Sequence, residues 1–289
     1  MFNNLIAAYM FFGGTGAGAC CVLCCLYMVL HRRAVDVEAD EGTRAILRQR
    51  FFGFGFLVVS VVSALGSFCL LADMKRPAEI LTLIVSPVFS VSSVGAYALA
   101  TLIVLGAAAA VTLLRPVRVP RAAVTLFLLI TLSVGVVVMA YTALLLMAFP
   151  AARLFNSPWL VPLFMASSLS CGCAGVILWA QVSRTSDMLA AALRRLRVAD
   201  GAFIVAEIVV LVVFLLAAGS VAPESADRLL RGDCALGFWL GVVGCGLTVP
   251  LALSFLDWRA PSLRVHPILS MLLILIGGFA LRWCMLKAA

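Results

Sequence analysis

Charge is scarce in this chain: Asp, Glu, Lys and Arg make up 12% of its 289 residues, and histidine occurs twice. A soluble domain of this length needs far more polar surface to cover its core, so the scarcity excludes one. The two histidines, His31 and His266, sit at the ends of apolar stretches. A haem held inside a helical bundle needs a pair at matching depth, so no haem b is expected. Ten cysteines are present, but no ferredoxin-type run in a loop. Cys20, Cys21, Cys24 and Cys25 include a C-x-x-C, yet all four lie within one apolar stretch. Spacings of three and four put pairs of them on one helix face, where cysteine packs as a small apolar residue. No iron–sulfur cluster and no other metal site is therefore expected here. Strict alternation, a soluble domain and a low-complexity tail are also missing.

What is present is apolar. Hydrophobic residues form 64% of the chain and mean hydropathy is +1.17. Eight stretches long enough to cross a bilayer run approximately over Leu5–Leu30, Phe51–Leu71, Val91–Leu114, Ala122–Met147, Trp159–Trp179, Ala199–Gly219, Ala235–Leu256 and Pro267–Leu286. In lipid the backbone must satisfy its own hydrogen bonds, so such runs become helices. The expectation is an all-α polytopic membrane protein with eight transmembrane helices in two four-helix bundles, residues 1–148 and 149–289. The first run is too long for a cleavable signal peptide and lacks a basic lead, so the first helix is expected to remain.

The basic residues sort by side. Fourteen of the 21 Lys and Arg lie in the gaps after helices one, three, five and seven. Positive-inside asymmetry then puts both termini outside the cytoplasm. The net charge of +8 follows from this topology. Because the basic residues flank helices instead of forming one face, no nucleic-acid partner is expected. Two longer cytoplasmic connections, His31–Arg50 and Gln181–Val198, read as solvated connectors that could form short interfacial helices.

Polar groups at membrane depth are costly and mark candidate sites. Glu207 lies about eight residues into helix six, roughly 12 Å deep; it reads as a proton-path candidate or a structural partner. Asp200 is expected to begin the same helix, and Arg282, near the outer end of helix eight, to snorkel. Tyr9, Tyr97 and Tyr141 fall toward the outer half of helices one, three and four. Three such side chains at similar height suit a ring-shaped ligand with polar oxygens. After helix two, Asp73 stands close to Lys75 and Arg76, and Asp73 or Arg76 could hold a proton. Small residues at Gly13, Gly14, Gly16 and Gly18 and at 167–172 permit close helix packing.

Five segments, in order, resemble one family. Gly13-Gly14-Thr15-Gly16-Ala17-Gly18 is similar to a glycine-rich first helix, and Asp73-Met74-Lys75-Arg76-Pro77 to a D-L-G-R-P loop. Ser92-Ser93-Val94-Gly95-Ala96-Tyr97 resembles S-P-M-S-x-G-A, and Tyr141-Thr142-Ala143-Leu144-Leu145-Leu146 resembles Y-T-G-L-L-L. Asn156-Ser157-Pro158 and Ser167-Ser168-Leu169-Ser170-Cys171-Gly172 match N-x-P and S-G-L-S-S-G. The family is the NrfD/polysulfide-reductase membrane subunit, with a more distant likeness to the dimethyl-sulfoxide reductase anchor. Lys75 departs from the Gly of the loop motif, and the Pro and Met of the third motif are absent.

The resemblance implies a prokaryotic cytoplasmic-membrane subunit that exchanges electrons between menaquinone and a separate ferredoxin-like, multi-cluster iron–sulfur subunit. That partner is commonly attached to a molybdopterin catalytic subunit. It implies Tyr9 and Tyr141 as hydrogen-bond partners of the quinone, with Gly13, Gly14 and Tyr97 beside them. Asp73 and Arg76 would handle protons or orient the head group. A secondary transporter and a purely structural anchor are the alternatives from the residues. Transporters place substrate at the midplane between internal repeats, whereas here no repeat relates the halves and the polar groups cluster toward one face.

Overall fold

The computed structural model describes residues 4–33, 41–73, 91–115, 120–148, 153–259 and 267–288. Within them every regular element is helical, and eight helices are long and apolar enough to cross a membrane. The protein is a multi-pass, all-α membrane protein.

The elements are α1 (Asn4–Arg33), α2 (Glu41–Ile46), a π-helical turn (Leu47–Gly53) running into α3 (Phe54–Asp73), α4 (Val91–Leu114) and α5 (Arg121–Met147). After a 3-10 turn (Arg153–Phe155) come α6 (Leu160–Val182), α7 (Ala190–Val221), α8 (Pro223–Leu230), a π-helical stretch (Gly237–Thr248) continuing as α9 (Val249–Arg259), and α10 (Pro267–Ala288). At 1.5 Å per residue the 32 residues of α7 reach about 48 Å, well past the hydrocarbon core.

Helix α7 therefore corrects two expectations. It starts at Ala190, because Ala190-Ala191-Ala192-Leu193 and the arginines that follow are strong helix formers. The second half of the connection after α6, residues 190–198, is accordingly part of α7, and Asp200 sits well inside that helix. Amphipathic α8 is an element the hydropathy pattern hides. Its signature is Pro223 at the first helical position followed by Glu224 in the first turn.

Both π-helical stretches have identifiable neighbours. The second precedes Pro250, which lacks the N–H and has the ring bulk that bar an ordinary α pattern there. In the first, the Phe51 carbonyl also accepts from the indole of Trp179, whose Nε1 donates to it at 2.9 Å. Nearby, Arg48 Nη2 donates to the Arg115 carbonyl at 3.0 Å, tying the start of this span to the end of α4.

The helices α1, α3, α4 and α5 pack on one another; α7 and α10 lie against α6, and the α9 span packs on α10. Helices α1 and α6 run together along the seam. A Cβ on Gly18 would enter the Ser168 carbonyl, and one on Gly172 would enter the Gly18 backbone. Glycine at these two positions is what lets the two backbones touch. Gly66 closes α3 on α1 near Gly13 in the same manner.

Candidate functional site

Two polar groups lie against α1. The first is a tyrosine pair. Tyr9 on α1 and Tyr141 on α5 are 1% and 4% exposed, and their hydroxyls face each other within interaction range. The pair forms because α4 presents Gly95 to the face of the Tyr141 ring, where any Cβ would overlap the ring atoms. Tyr97, two residues on, projects from the opposite side of α4 and is 40% exposed. The structure thus joins two of the three expected tyrosines and turns the third away from Gly95. Gly13 lies under the Tyr9 ring, 3.9 Å from where its Cβ would stand, whereas Gly14 faces α6 and α10.

The second group centres on Arg282 of α10, which is completely buried. It does not snorkel. Its Nε donates to the Met10 carbonyl at 3.2 Å, Nη1 to the Gly278 carbonyl at 2.7 Å and to Ser167 Oγ at 3.4 Å, and Nη2 to Ser168 Oγ at 2.9 Å. Four of five guanidinium N–H donors are thereby used. The rings of Phe164 and Phe11 stand 5.5 and 5.9 Å from its central carbon, within cation–π range. Gly14 makes room for it: a Cβ there would lie 2.7 Å from Ser168 Oγ and 3.0 Å from Nη2.

Glu207 of α7 is 6% exposed, and its carboxylate lies beside the Ser167 hydroxyl. Ser167 therefore neighbours both the carboxylate and the guanidinium, whose opposite charges interact. Two turns earlier on the same face of α7, Asp200 is 1% exposed and accepts a 2.8 Å hydrogen bond from Ser170. The small residues of 167–172 thus do more than pack. Their hydroxyls carry the polar contact of α6 with α7 and α10 at this depth. One signal could have pointed to Arg282: a lone arginine within the last apolar stretch, opposite a serine-rich one.

Asp73 closes α3, but its side chain, Arg76 and the rest of that loop lie outside the described residues. Ten cysteines are free, and among the described residues no three His, Cys, Asp or Glu side chains gather as a metal would need.

The fold and seam define a helical membrane protein with a buried polar ladder linking α1, α6, α7 and α10. The family is more specific. The model of the polysulphide reductase, NrfD family matches residues 1–289, and the protein belongs to that family. A relative is the C subunit of polysulfide reductase from Wolinella succinogenes, 26% identical over 98% of the present sequence and 92% of its own length.

Proposed function

We propose that the protein is the quinone-reactive membrane subunit of a respiratory oxidoreductase complex. It would exchange electrons between menaquinone or menaquinol near the outer face and a ferredoxin-like iron–sulfur subunit. The observation that carries this reading is the Tyr9–Tyr141 pair: two phenol hydroxyls held together, away from solvent, by α1 and α5. Phenols donate to quinone carbonyls and accept from quinol hydroxyls, so this donor set fits the substrate. Membership of the family and likeness to the polysulfide reductase C subunit support it.

Oxidation of one quinol yields quinone, two electrons and two protons. The electrons leave through the partner, which a molybdopterin-type catalytic subunit extends. The quinone is the redox centre; the residues of this subunit orient it and move protons. Either phenol binds a quinone oxygen by exchanging its partner's hydroxyl for that oxygen, with Gly13 beneath the Tyr9 ring and Gly14 beyond; Tyr97, turned to the other side of α4, takes no part. Asp73 and Arg76 pass protons to the outer face, and Glu207 offers a path from deeper in the membrane. The bias of Lys and Arg toward alternate connections supports a location in the cytoplasmic membrane of a prokaryote with both termini outside the cytoplasm.

Binding of a menaquinone analogue to the purified protein, followed by fluorescence quenching, tests the reading. Saturable binding weakened about tenfold in Tyr141→Phe, the scale of one lost hydrogen bond, is expected. If the intact complex bound no analogue, the quinone reading would fall and the subunit would be an anchor.

A further inference from the structure

Arg282 is the most heavily bonded side chain of the seam, and nothing in the proposed quinone chemistry uses it. Its bonds reach three helices: α1 through Met10, α6 through Ser167 and Ser168, and its own α10 through Gly278. A guanidinium at this depth is costly to bury, and a snorkelling one would avoid the cost. A specific reason is needed for it to point inward.

The reason lies in which carbonyl it holds. Met10 follows Tyr9 directly, and its carbonyl faces Gly14 one turn on, where the missing Cβ leaves space for Nη2 and Ser168. The Tyr9 ring runs on the neighbouring side of the same turn, over Gly13. This turn of α1 is therefore gripped twice, by Arg282 at its backbone and by the Tyr141 hydroxyl at the tip of Tyr9. The usable distance window of a hydrogen bond is only a few tenths of an ångström. A small slide or rotation of α1 would thus part the two hydroxyls. The guanidinium is itself fixed, by two serines on one side and by the Phe164 and Phe11 rings on the other.

We propose that Arg282 is a positioning residue for the Tyr9–Tyr141 pair, locking the Tyr9–Gly14 turn of α1 against α6 and α10. Glu207, reached through Ser167, supplies the counter-charge. The planar fork is essential to this role. A lysine keeps the positive charge opposite Glu207, but its single ammonium lacks the rigid geometry that serves Met10, Gly278 and both serines together.

Only the binding arm of the test rests on the quinone reading. In that arm a menaquinone analogue is titrated into the complex carrying Arg282→Lys, Tyr9→Phe or both. Each single change is expected to weaken binding about tenfold. The double change should weaken it no further, because Arg282 acts through Tyr9. A role in charge balance alone predicts wild-type affinity for Arg282→Lys, and an independent role predicts multiplied losses; either result overturns the proposal. The second arm needs no quinone. The tyrosine Raman doublet, which reports phenol hydrogen bonding, is compared in wild type and Arg282→Lys, with Tyr9→Phe marking the Tyr9 contribution. A changed Tyr9 contribution supports positioning even if no analogue binds, and an unchanged one sinks it. Should Arg282→Lys fail to fold, Ser168→Ala releases Nη2 with the arginine intact. It is expected to shift the same doublet in the same direction, and an unshifted doublet overturns the proposal.

Discussion

Helices α1 and α7 are both long transmembrane helices, yet they solve opposite problems. In its most apolar window α1 is 72% buried within the protein, against 28% for α7, although α7 is the more hydrophobic of the two. In water that order would be reversed. A bilayer offers apolar side chains a solvent as good as a protein core, so hydrophobicity does not drive a helix inward. What draws α1 to the centre is its ability to pack backbone to backbone and to accept hydrogen bonds from neighbours. Its glycines, and the Met10 carbonyl held by Arg282, do this. Helix α7 turns one polar face to the seam, through Asp200 and Glu207, and gives Val205, Val209, Val212 and Leu216 to the outside.

Removing the charge at the centre of the seam should produce the largest effect. Arg282→Met leaves the Glu207 carboxylate buried without its counter-charge and should destabilise the protein by about 3–5 kcal/mol. The readout is the midpoint of denaturant-induced unfolding in micelles. Adding Glu207→Gln should recover part of the loss, and a double variant as unstable as the single would show that the two charges are not partners.

Backbone contact across the seam ranks next. Gly18→Val forces α1 away from α6 at Ser168 and Gly172, with a cost of about 1–3 kcal/mol in the same assay. Unchanged stability there would mean that the close approach of the two helices adds nothing. At the other pole of the comparison, Val209 is 57% exposed. Val209→Ala should change the stability by less than about 0.5 kcal/mol. A larger loss would indicate that this face of α7 is covered by a partner and not by lipid.

The membrane class and the number of spans are legible because hydropathy and length are properties of short windows. Tyr9 and Tyr141 stand out by residue type and height in their helices, but that they meet while Tyr97 turns outward depends on which way α4 rotates. Gly95 against the Tyr141 ring decides that rotation. Arg282 misleads for a similar reason: its distance from the helix end permits snorkelling, and only the serines of α6 and the Met10 carbonyl make the inward direction favourable. Asp200 reads as a helix start because the apolar run begins beside it. The helix itself begins at Ala190, where alanine and arginine sustain it without hydrophobicity.

By itself the sequence determined the solvent, the helical class, the eight crossings and the family. All of these follow from local composition and motif order, since a backbone in hydrocarbon has no other way to satisfy its hydrogen bonds. Tertiary structure alone decided which polar groups share the seam. That choice rests on the rotation of each helix about its axis. In lipid the rotation is set by close packing and by partners for buried polar groups, and both come from other helices.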